Sequence, residues 1–458
     1  MNLCTTDNNC GAPFSGTDEK SLHGTKNDFD NLSKIANTTV EELVKNNPSL
    51  LVFPQILGAH DDGIEEQEVF NLHGNSEQLE KVTLKTGNLM GFIGIGGTQL
   101  KISSRFSKDD EHDFFVQYML QKVFSINLFD WEHQNSNGVL DLLMFVFPKL
   151  LKKALSQGLY RQYQTFNRND ANVKGVVDVG RHIKQNLPFC GKIAYKSRER
   201  TFDNPLTELI RHTIESIKTK PFGKQILNSS SETKKCVQEI LEATPKYDIH
   251  EREKVIFQNL KTITHPYYTA FKPLQKLCLA ILRHKKIGFG NAKNKTYGIL
   301  FDGAWLWEEY LWTVLKSKNF LHPQNKKHAG GIKMFENDID ENSFDKNHRR
   351  IYPDFYKPNE YILDAKYKRL QNGVAREDLY QIVAYMHTME IDHGGFLYPI
   401  PQTDFENGND NKKNYKLAGY GGTISTIGFP IPKSESFGEF VEKMEGEEKK
   451  LLDIIEPK

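Results

Sequence analysis

The sequence contains little cysteine, and the cysteines that it has form no recognisable framework. Its 458 residues include five cysteines, which is an odd number. They are scattered and make no Cys-x-x-Cys pair: Cys4, Cys10, Cys190, Cys236 and Cys278. The pattern argues against a zinc site or a disulfide framework and favours a reducing cytoplasm.

Long apolar runs are also missing. The most apolar segment, residues 138–151, is interrupted by Asp141 and Pro148 and is too short to span a bilayer, so we expect a buried helix there. The first residues show no basic region followed by an apolar core, and no signal peptide is expected. Together these absences predict a cytoplasmic protein with no membrane partner.

Neither sign of charge is in excess, because 60 Lys and Arg residues face 59 Asp and Glu residues and the formal net charge is +1. If nucleic acid is a partner, its attraction must therefore come from local clusters of basic residues. A hydrophobic fraction of 38% is nevertheless typical of a soluble globular protein. The length predicts about two to four domains.

The sequence has no phosphate-binding loop of the Walker type. Glycines are frequent over residues 89–106, but alternating apolar residues on both sides of Gly96-Gly97 predict a β-hairpin there. Neither of the Gly-Lys pairs at 191–192 and 223–224 is followed by Ser or Thr. We therefore expect that this chain itself binds no nucleotide.

Patterning along the chain predicts an α+β multidomain fold. A polar, Asn-rich lead-in over residues 1–35 is expected to be flexible. A β-rich region with the hairpin over 36–157 and a mainly helical middle over 158–290 follow. A Lys/Asn/Gly-rich stretch at 285–297 then introduces an α/β region over 291–458.

Within this frame, periodicity predicts several individual elements. Apolar residues at three- and four-residue spacing indicate helices at about 112–124, 138–155, 204–217, 231–243, 266–284 and 377–389. A strand is expected over 173–177, and Asp302 is expected to cap a helix that carries Trp305 and Leu311.

Residues 351–368 carry the strongest chemical signal. Tyr352-Pro353-Asp354-Phe355 closes one predicted strand, and Ile362-Leu363-Asp364-Ala365-Lys366 follows a short turn as the next. Because side chains alternate along a strand, Asp364 and Lys366 share one face while the apolar neighbours occupy the other. Adjacent strands would bring Asp354 beside Asp364.

These residue types suit metal-dependent phosphodiester hydrolysis. Mg²⁺ is typically held by one or two carboxylates, which Asp354 and Asp364 can supply, and the backbone carbonyl of Ala365 is a further plausible ligand. Lys366 lies roughly 7 Å beyond Asp364 along the strand, within reach of an attacking water or a phosphate.

Two flanking helices add to this signal. Glu308, next to Glu309, offers a further acid on the preceding helix. On the following helix Gln381 and Tyr385 lie one turn apart and can point at one place, while Leu379, Ile382, Val383 and Met386 are expected to face inward. An Asp-x-Lys pair alone usually lies on a solvated face of a strand. Its combination with Asp354 and with the polar residues of both flanking helices favours catalysis.

Other candidates are weaker. Five histidines lack metal-ligand spacing and are expected to be at the surface or locally hydrogen-bonded: His265, His284, His322, His328 and His348. His348-Arg349-Arg350 could contact phosphate or form a solvated loop. Lys196, Arg198 and Arg200 alternate along a predicted strand, where a structural role is the default interpretation.

The same motifs resemble the McrC family, the endonuclease subunits of McrBC-type modification-dependent restriction systems. The resemblance extends over about Leu89 to Pro399, and Ser104 stands where the family more often has Pro. Three kinds of segment carry it: the nuclease-like segments 352–355, 362–368 and 378–385, the middle segments 173–178 and 198–206, and the hairpin end 102–106.

This resemblance implies a PD-(D/E)xK, restriction-endonuclease-like core in residues 291–458. It also implies Mg²⁺-dependent cutting of double-stranded, modified DNA, together with a separate AAA+ GTPase hexamer, McrB, whose nucleotide hydrolysis the subunit stimulates. By resemblance Asp354, Asp364 and Lys366 match the catalytic motif, and Glu308 matches the helix acid. Two alternatives stay open: a stand-alone nuclease of the RecB-like or repair type, and a non-catalytic activator of an AAA+ partner.

Overall fold

A computed structural model describes most of the chain. The described residues are 2–16, 21–47, 50–54, 62–107, 113–124, 138–220, 223–287, 296–323, 330–335, 350–370, 373–402, 411–419 and 421–455. Within these ranges no helix is both long and apolar enough to cross a lipid bilayer.

The regular elements are numbered here in chain order. The strands are β1 Asn2–Thr6, β2 Ala12–Pro13, β3 Leu50–Phe53, β4 Phe70–His73, β5 Thr83–Thr86, β6 Leu89–Ile95, β7 Thr98–Ser103, β8 Gln162–Asp170, β9 Val176–Val177, β10 Ile193–Thr201, β11 Tyr297–Asp302, β12 Ile332–Lys333, β13 Arg350–Ile351, β14 Phe355–Lys357, β15 Tyr361–Ala365, β16 His393–Pro401, β17 Lys412–Lys416 and β18 Thr423–Ile431. The α-helices are α1 Lys26–Leu32, α2 Val40–Asn46, α3 Asp62–Glu65, α4 Phe114–Phe124, α5 Gly138–Leu155, α6 Val179–Asn186, α7 Pro205–Lys218, α8 Gly223–Leu227, α9 Ser231–Ala243, α10 Arg252–Gln258, α11 Phe271–Ile287, α12 Gly303–Leu315, α13 Arg376–Met389 and α14 Phe437–Ile455.

The chain forms two compact units. The first combines Met1–Val139 with Phe289–Lys458, and the second is Leu140–Gly288. The expected α+β class is confirmed, since helices and several sheets occur throughout. The four-part division of the chain stays a prediction.

The N-terminal sheet of the first unit has the strand order β1-β7-β6-β11-β3. Its centre is the predicted hairpin: β6 and β7 pair antiparallel around Gly96-Gly97. Strand β11 pairs antiparallel with β6 and parallel with β3, so the region after the second unit completes a sheet begun before it. Gly91 permits the β6–β11 pairing, because a Cβ there would lie 2.1 Å from the carbonyl oxygen of Ile299.

The first residues are ordered where the sequence predicts a flexible lead-in. Strand β1 extends the N-terminal sheet by pairing parallel with β7, and Leu3, Phe14 and Leu32 are buried in its core. Helix α1 begins at a capping box in which Thr25 and Asp28 exchange hydrogen bonds. Polar composition is misleading here, because long-range pairing supplies the partners that these residues need.

The second large sheet has the order β14-β15-β16-β18-β17. Its three central strands are mutually parallel and buried, which suits their nearly continuous apolar sequences. Ile382 and Met386 of α13 pack with Ile362 and Phe396 on one face. Trp307 of α12 contacts Phe429, whose register places it on the opposite face.

Most of the predicted helices are confirmed. Helix α9 matches the predicted 231–243, and α4, α5 and α11 agree with their predictions to within a few residues. The predicted cap is confirmed, since Asp302 accepts from the N–H groups of Ala304 and Trp305. Asn204 likewise caps α7 by accepting from the N–H groups of Leu206 and Thr207.

The second unit is less purely helical than predicted. A three-stranded antiparallel sheet, β8-β10-β9, is formed between α5 and α7 in the chain. Strand β9 covers only the last two residues of the strand expected over 173–177. Long β8 was missed because its side chains are mostly exposed on both faces, so no apolar alternation marks it. The buried stripe expected along α7 is confirmed from Leu206 to Ile217.

Candidate active site

Strands β14 and β15 bring together Asp354 and Asp364, the two carboxylates predicted from the sequence. Strands β14 and β15 pair antiparallel, with Phe355 opposite Leu363. A tight turn joins them, in which Asn359 adopts a left-handed conformation with φ of 60°. Asp354, directly before β14, thereby reaches the end of β15, where its Oδ2 accepts the main-chain N–H of Ala365 at 2.7 Å.

Asp364 is a buried carboxylate, only 3% exposed. Burial, aided by repulsion from Asp354, raises its pKa to about 7, although Lys366 acts to lower it. The Nζ of Lys366 lies 2.6 Å from Oδ2 of Asp364 as a close ion pair. This buried oxygen of Asp364 therefore has the Lys366 ammonium as its neighbour.

Lys366 lies between two carboxylates, those of Asp364 at 2.6 Å and Asp378 at 3.2 Å. Burial acts to lower its pKa, but these carboxylates and Asp354 outweigh that effect, and the pKa stays above its usual value. The side chain is thus an ammonium at neutral pH. Asp378 also binds Lys368.

Asp378 was not assigned a role by the sequence analysis. Burial acts to raise its pKa, yet Lys368 and Lys366 hold it below the usual value. The signal that could have found it is spacing, because Asp378 stands three residues before Gln381 and so one helical turn away.

The predicted helix acid Glu308 lies beside a histidine. The Nε2 of His322 is 3.8 Å from Oε1 of Glu308, and its Nδ1–H donates to the main-chain oxygen of Asp354 at 2.7 Å. His322 lies between the rings of Trp312 and Phe355, with centroid separations of 5.3 and 5.1 Å.

His322 was expected to be at the surface or locally hydrogen-bonded, and it is buried and hydrogen-bonded to the main chain of Asp354. Its side chain is only 3% exposed, because in this short extended segment it shares a face with the buried Phe320, while Leu321 between them, which is bridged to Tyr356, is exposed. That alternation is the signal that the sequence offered. His328, His348 and Arg349 lie outside the described residues.

Helix α13 carries the predicted Gln381 and Tyr385, and the two are in contact. The Nε2 of Gln381 donates to the hydroxyl of Tyr385 at 2.8 Å, and Tyr385 in turn faces the main-chain oxygen of Tyr352 at 3.4 Å. Burial, with Asp354 and Asp364 adding to it, raises the pKa of Tyr385. The prediction for Val383 was wrong, since this side chain is 38% exposed.

The side chains at this site offer two carboxylates to the expected Mg²⁺. Throughout the described part of the chain, no three His, Cys, Asp or Glu side chains are grouped so that they could hold a metal ion. Two carboxylates suffice for a largely hydrated Mg²⁺, and Asp354 and Asp364 meet that need. The buried Oδ2 of Asp364 already lies 2.6 Å from the Lys366 ammonium, so the site holds positive charge against this carboxylate, as a bound cation would require.

The remaining basic candidates lie elsewhere. In β10 the side chains of Lys196, Arg198 and Arg200 are exposed on one face, and the expected strand is confirmed. Lys196 pairs with Asp178 at 3.2 Å. These residues belong to the second unit, whereas the residues around Asp364 belong to the first.

Comparison with known proteins gives one family and two structures. The family described as "McrBC 5-methylcytosine restriction system component" matches residues 84–399, which is more than half of the chain. One similar structure is described as a refined half-complex from a tetradecameric assembly of Thermococcus gammatolerans McrB AAA+ hexamers with bound McrC. It is 16% identical, with a TM-score of 0.49, and the match covers 99% of this chain and 100% of that one.

A second structure, a cryo-EM structure of the Thermococcus gammatolerans McrBC complex, is also 16% identical. Its TM-score is 0.33, and the match covers 69% of this chain and 87% of that one. No curated protein matches the chain at a significant level.

Proposed function

This chain belongs to the family of McrBC 5-methylcytosine restriction system components, and on that basis we propose that it is the endonuclease subunit of such a system. In this proposal residues 291–458 contain a PD-(D/E)xK core that cuts double-stranded, modified DNA with Mg²⁺. The observation that carries it is the bond from Ala365 to Asp354, which holds two carboxylates and Lys366 together at the ends of paired strands.

Each residue has a distinct part in this proposal. Asp354, Asp364 and the carbonyl of Ala365 would hold Mg²⁺, which when bound polarises the scissile phosphate and lowers the pKa of its water. Lys366 remains protonated between Asp364 and Asp378, so it stabilises negative charge on the phosphate rather than accepting a proton.

The residues around this centre orient it. His322 donates to the main-chain oxygen of Asp354 and approaches the carboxylate of Glu308, so one imidazole contacts both acidic residues. Gln381 and Tyr385 present an amide and a hydroxyl beside the carboxylates, where they can hold a water or a phosphate oxygen in line for attack.

The proposed partner is a separate AAA+ GTPase ring of the McrB type, because the chain has no Walker-type loop of its own. An exposed apolar surface of the second unit supports a protein partner. Val179 and Ile183 lie one turn apart on helix α6, and Leu187 and Phe189 follow the helix in the chain; each of these four side chains is 53–64% exposed. Exposed apolar clusters of this kind mark interaction sites.

Cleavage by the purified chain tests the nuclease assignment. With methylated duplex DNA, Mg²⁺, GTP and the AAA+ partner, we expect cutting that Asp364→Ala and Lys366→Ala each abolish while circular dichroism stays unchanged. Glu377→Ala is the matched control, because this exposed acid of α13 lies outside the cluster. Undiminished cutting by the Asp364 and Lys366 variants would overturn the assignment.

The same assay separates the alternatives. Cutting with Mg²⁺ alone, without the partner and GTP, would indicate a stand-alone nuclease. Stimulated GTP hydrolysis without cutting by the wild-type protein would indicate a non-catalytic activator. For the apolar surface, Ile183→Ser with Leu187→Ser should abolish stimulation of the partner, and unchanged stimulation would remove this surface from the proposal.

A further inference from the structure

Tyr367, the residue directly after Lys366, is tied to the N-terminal sheet. Its hydroxyl lies 2.7 Å from Oγ of Ser104, at the end of β7. Its ring packs edge-on against Phe106, with a centroid separation of 5.1 Å. Its main-chain oxygen accepts a hydrogen bond from the guanidinium of Arg105. The chain leaving β15 is thus held by three consecutive residues from far earlier in the sequence.

Arg105 is itself held in place on the opposite side. Its Nη1 lies 3.2 Å from Oδ2 of Asp7, and its main-chain N–H donates to Oδ1 of the same carboxylate at 2.6 Å. Asp7 is fully buried, just beyond the end of β1. A planar guanidinium with one edge paired to a buried carboxylate has little freedom, so its hydrogen bond to Tyr367 is directionally fixed.

Arg105 also contacts the loop that supports the helix carrying Glu308. Its Nη1 donates to Oδ1 of Asn88 at 3.3 Å, and the main-chain oxygen of Asn88 accepts from the N–H of Gly303 at 2.9 Å. Gly303 is the first residue of α12, and a Cβ there would lie 2.6 Å from the ring of Tyr367. The start of α12 and the exit of β15 therefore meet at one buried point.

We infer that Arg105 is a positioning residue of the proposed nuclease centre, acting on Lys366 through the main chain of Tyr367. The inference rests on the proposed function. Lys366 is fixed on one side by its N–H bond to the oxygen of Leu397 at 2.8 Å. On the other side the main-chain carbonyl of Tyr367 accepts a hydrogen bond from Arg105. That bond sets the direction in which the chain leaves β15. Displacements of about 1 Å in a reacting group cost about 100-fold in rate.

The test uses two substitutions that disturb the same contact region differently. Arg105→Lys keeps the positive charge beside Asp7, so the protein should fold, but it loses the forked hydrogen bonding to Tyr367 and Asn88. Tyr367→Phe is the matched control, because it removes the hydroxyl bond to Ser104 and leaves the main-chain carbonyl in place.

Single-turnover cleavage at saturating DNA should fall about 10- to 100-fold in Arg105→Lys. In Tyr367→Phe it should stay close to the wild-type rate. DNA affinity measured with Ca²⁺ in place of Mg²⁺ should be unchanged in both variants, since neither side chain is proposed to contact DNA. Equal losses of rate in the two variants, or losses that simply follow their melting temperatures, would show a purely structural role and overturn the inference.

Hydrogen–deuterium exchange tests the inference without any cleavage. Arg105→Lys should speed exchange in the peptide that contains residues 365–370, while exchange in β6 stays as in the wild-type protein. If the wild-type chain cuts no DNA, the proposed function fails, yet this measurement still reports whether Arg105 holds the exit of β15. Unchanged exchange over 365–370 would overturn the positioning role even in an active enzyme.

Discussion

The carboxylate of Asp354 accepts the main-chain N–H of Ala365 at 2.7 Å, so the acid of one strand is fixed to the backbone of the next. The position of Asp354 therefore depends on the pairing of β14 with β15. Charge and placement at this residue can be separated by substitution, because an amide oxygen accepts the same hydrogen bond without the charge.

Asp354→Asn should abolish cleavage and leave the melting temperature unchanged or slightly raised, since one of two repelling carboxylates becomes neutral. Asp354→Ala should also be inactive, but it leaves the N–H of Ala365 without its acceptor and should cost about 1–3 kcal/mol of unfolding free energy. Cleavage assays and urea titrations of both variants check this. An active Asp354→Asn enzyme would contradict the assigned role.

The contributions of Asp364 and Asp7 to the stability of the metal-free protein should fall as pH rises from about 4 to about 7. Both have folded-state pKa values of about 7 against 3.8 as the ordinary value, each raised chiefly by burial. In this window the two folded carboxyl groups retain protons that the unfolded state has released, so their contributions decline and level off above about 7. His212, whose pKa burial lowers to about 4, contributes in the opposite direction. Each of the two carboxyl groups can contribute up to about 4 kcal/mol.

Thermal unfolding across pH checks this linkage. In Asp364→Asn the pH-dependent loss of stability that is due to Asp364 should disappear. The loss that is due to Asp7 should remain. Added Mg²⁺ should raise the melting temperature of the wild-type protein at pH 8 and have little effect on Asp364→Asn, because the cation would offset the buried charge. If the stability of Asp364→Asn changes with pH in the same way as that of the wild-type protein does, the raised pKa of Asp364 is refuted.

Asp378 should prove important for cleavage although the sequence analysis gave it no role. Asp378→Asn removes one of the two carboxylates beside Lys366 and weakens its contact with Lys368. We expect a fall of about tenfold in cleavage rate, because Lys366 is then oriented by Asp364 alone. Glu377→Gln, the neighbouring exposed acid, serves as control, and equal rates in the two variants would argue against the role.

The stability of the N-terminal sheet should depend more on glycine at position 91 than on glycine at position 97. Gly91 has a φ of +128°, and a Cβ added there would lie 2.1 Å from a backbone oxygen of β11, whereas a Cβ added at Gly97, which has a φ of +103°, would meet no atom within 4 Å. Gly91→Ala should therefore cost about 3 kcal/mol or more. Gly97→Ala should cost about 1 kcal/mol from conformation alone. Chemical denaturation of both variants measures the difference.

Local patterns predicted much of this structure. The hairpin of β6 and β7, the capped start of α12 and the strand pair that carries Asp354 and Asp364 all follow from short-range periodicity and turn residues. The grouping of Asp354, Asp364 and Lys366 was predictable for the same reason, since only a tight turn separates the strands that bear them.

Long-range pairings were not predictable in this way. Asp7 belongs to a polar segment, and its burial depends on Arg105, which lies far along the chain. His322 is enclosed by Trp312 and Phe355, and the residues next to it in the sequence do not predict these contacts. In both cases the free energy of burying a polar group is offset by a partner that only the folded chain supplies.

The position of β11 between β6 and β3 also bears on how the protein is made. During synthesis β6 leaves the ribosome with an unpaired edge, and at roughly 5–20 residues per second it waits on the order of ten seconds or more for β11. The second unit, Leu140–Gly288, is synthesised in that interval and is compact on its own. Two fragments divided within it would each carry part of one sheet, and they should restore the first unit only by associating.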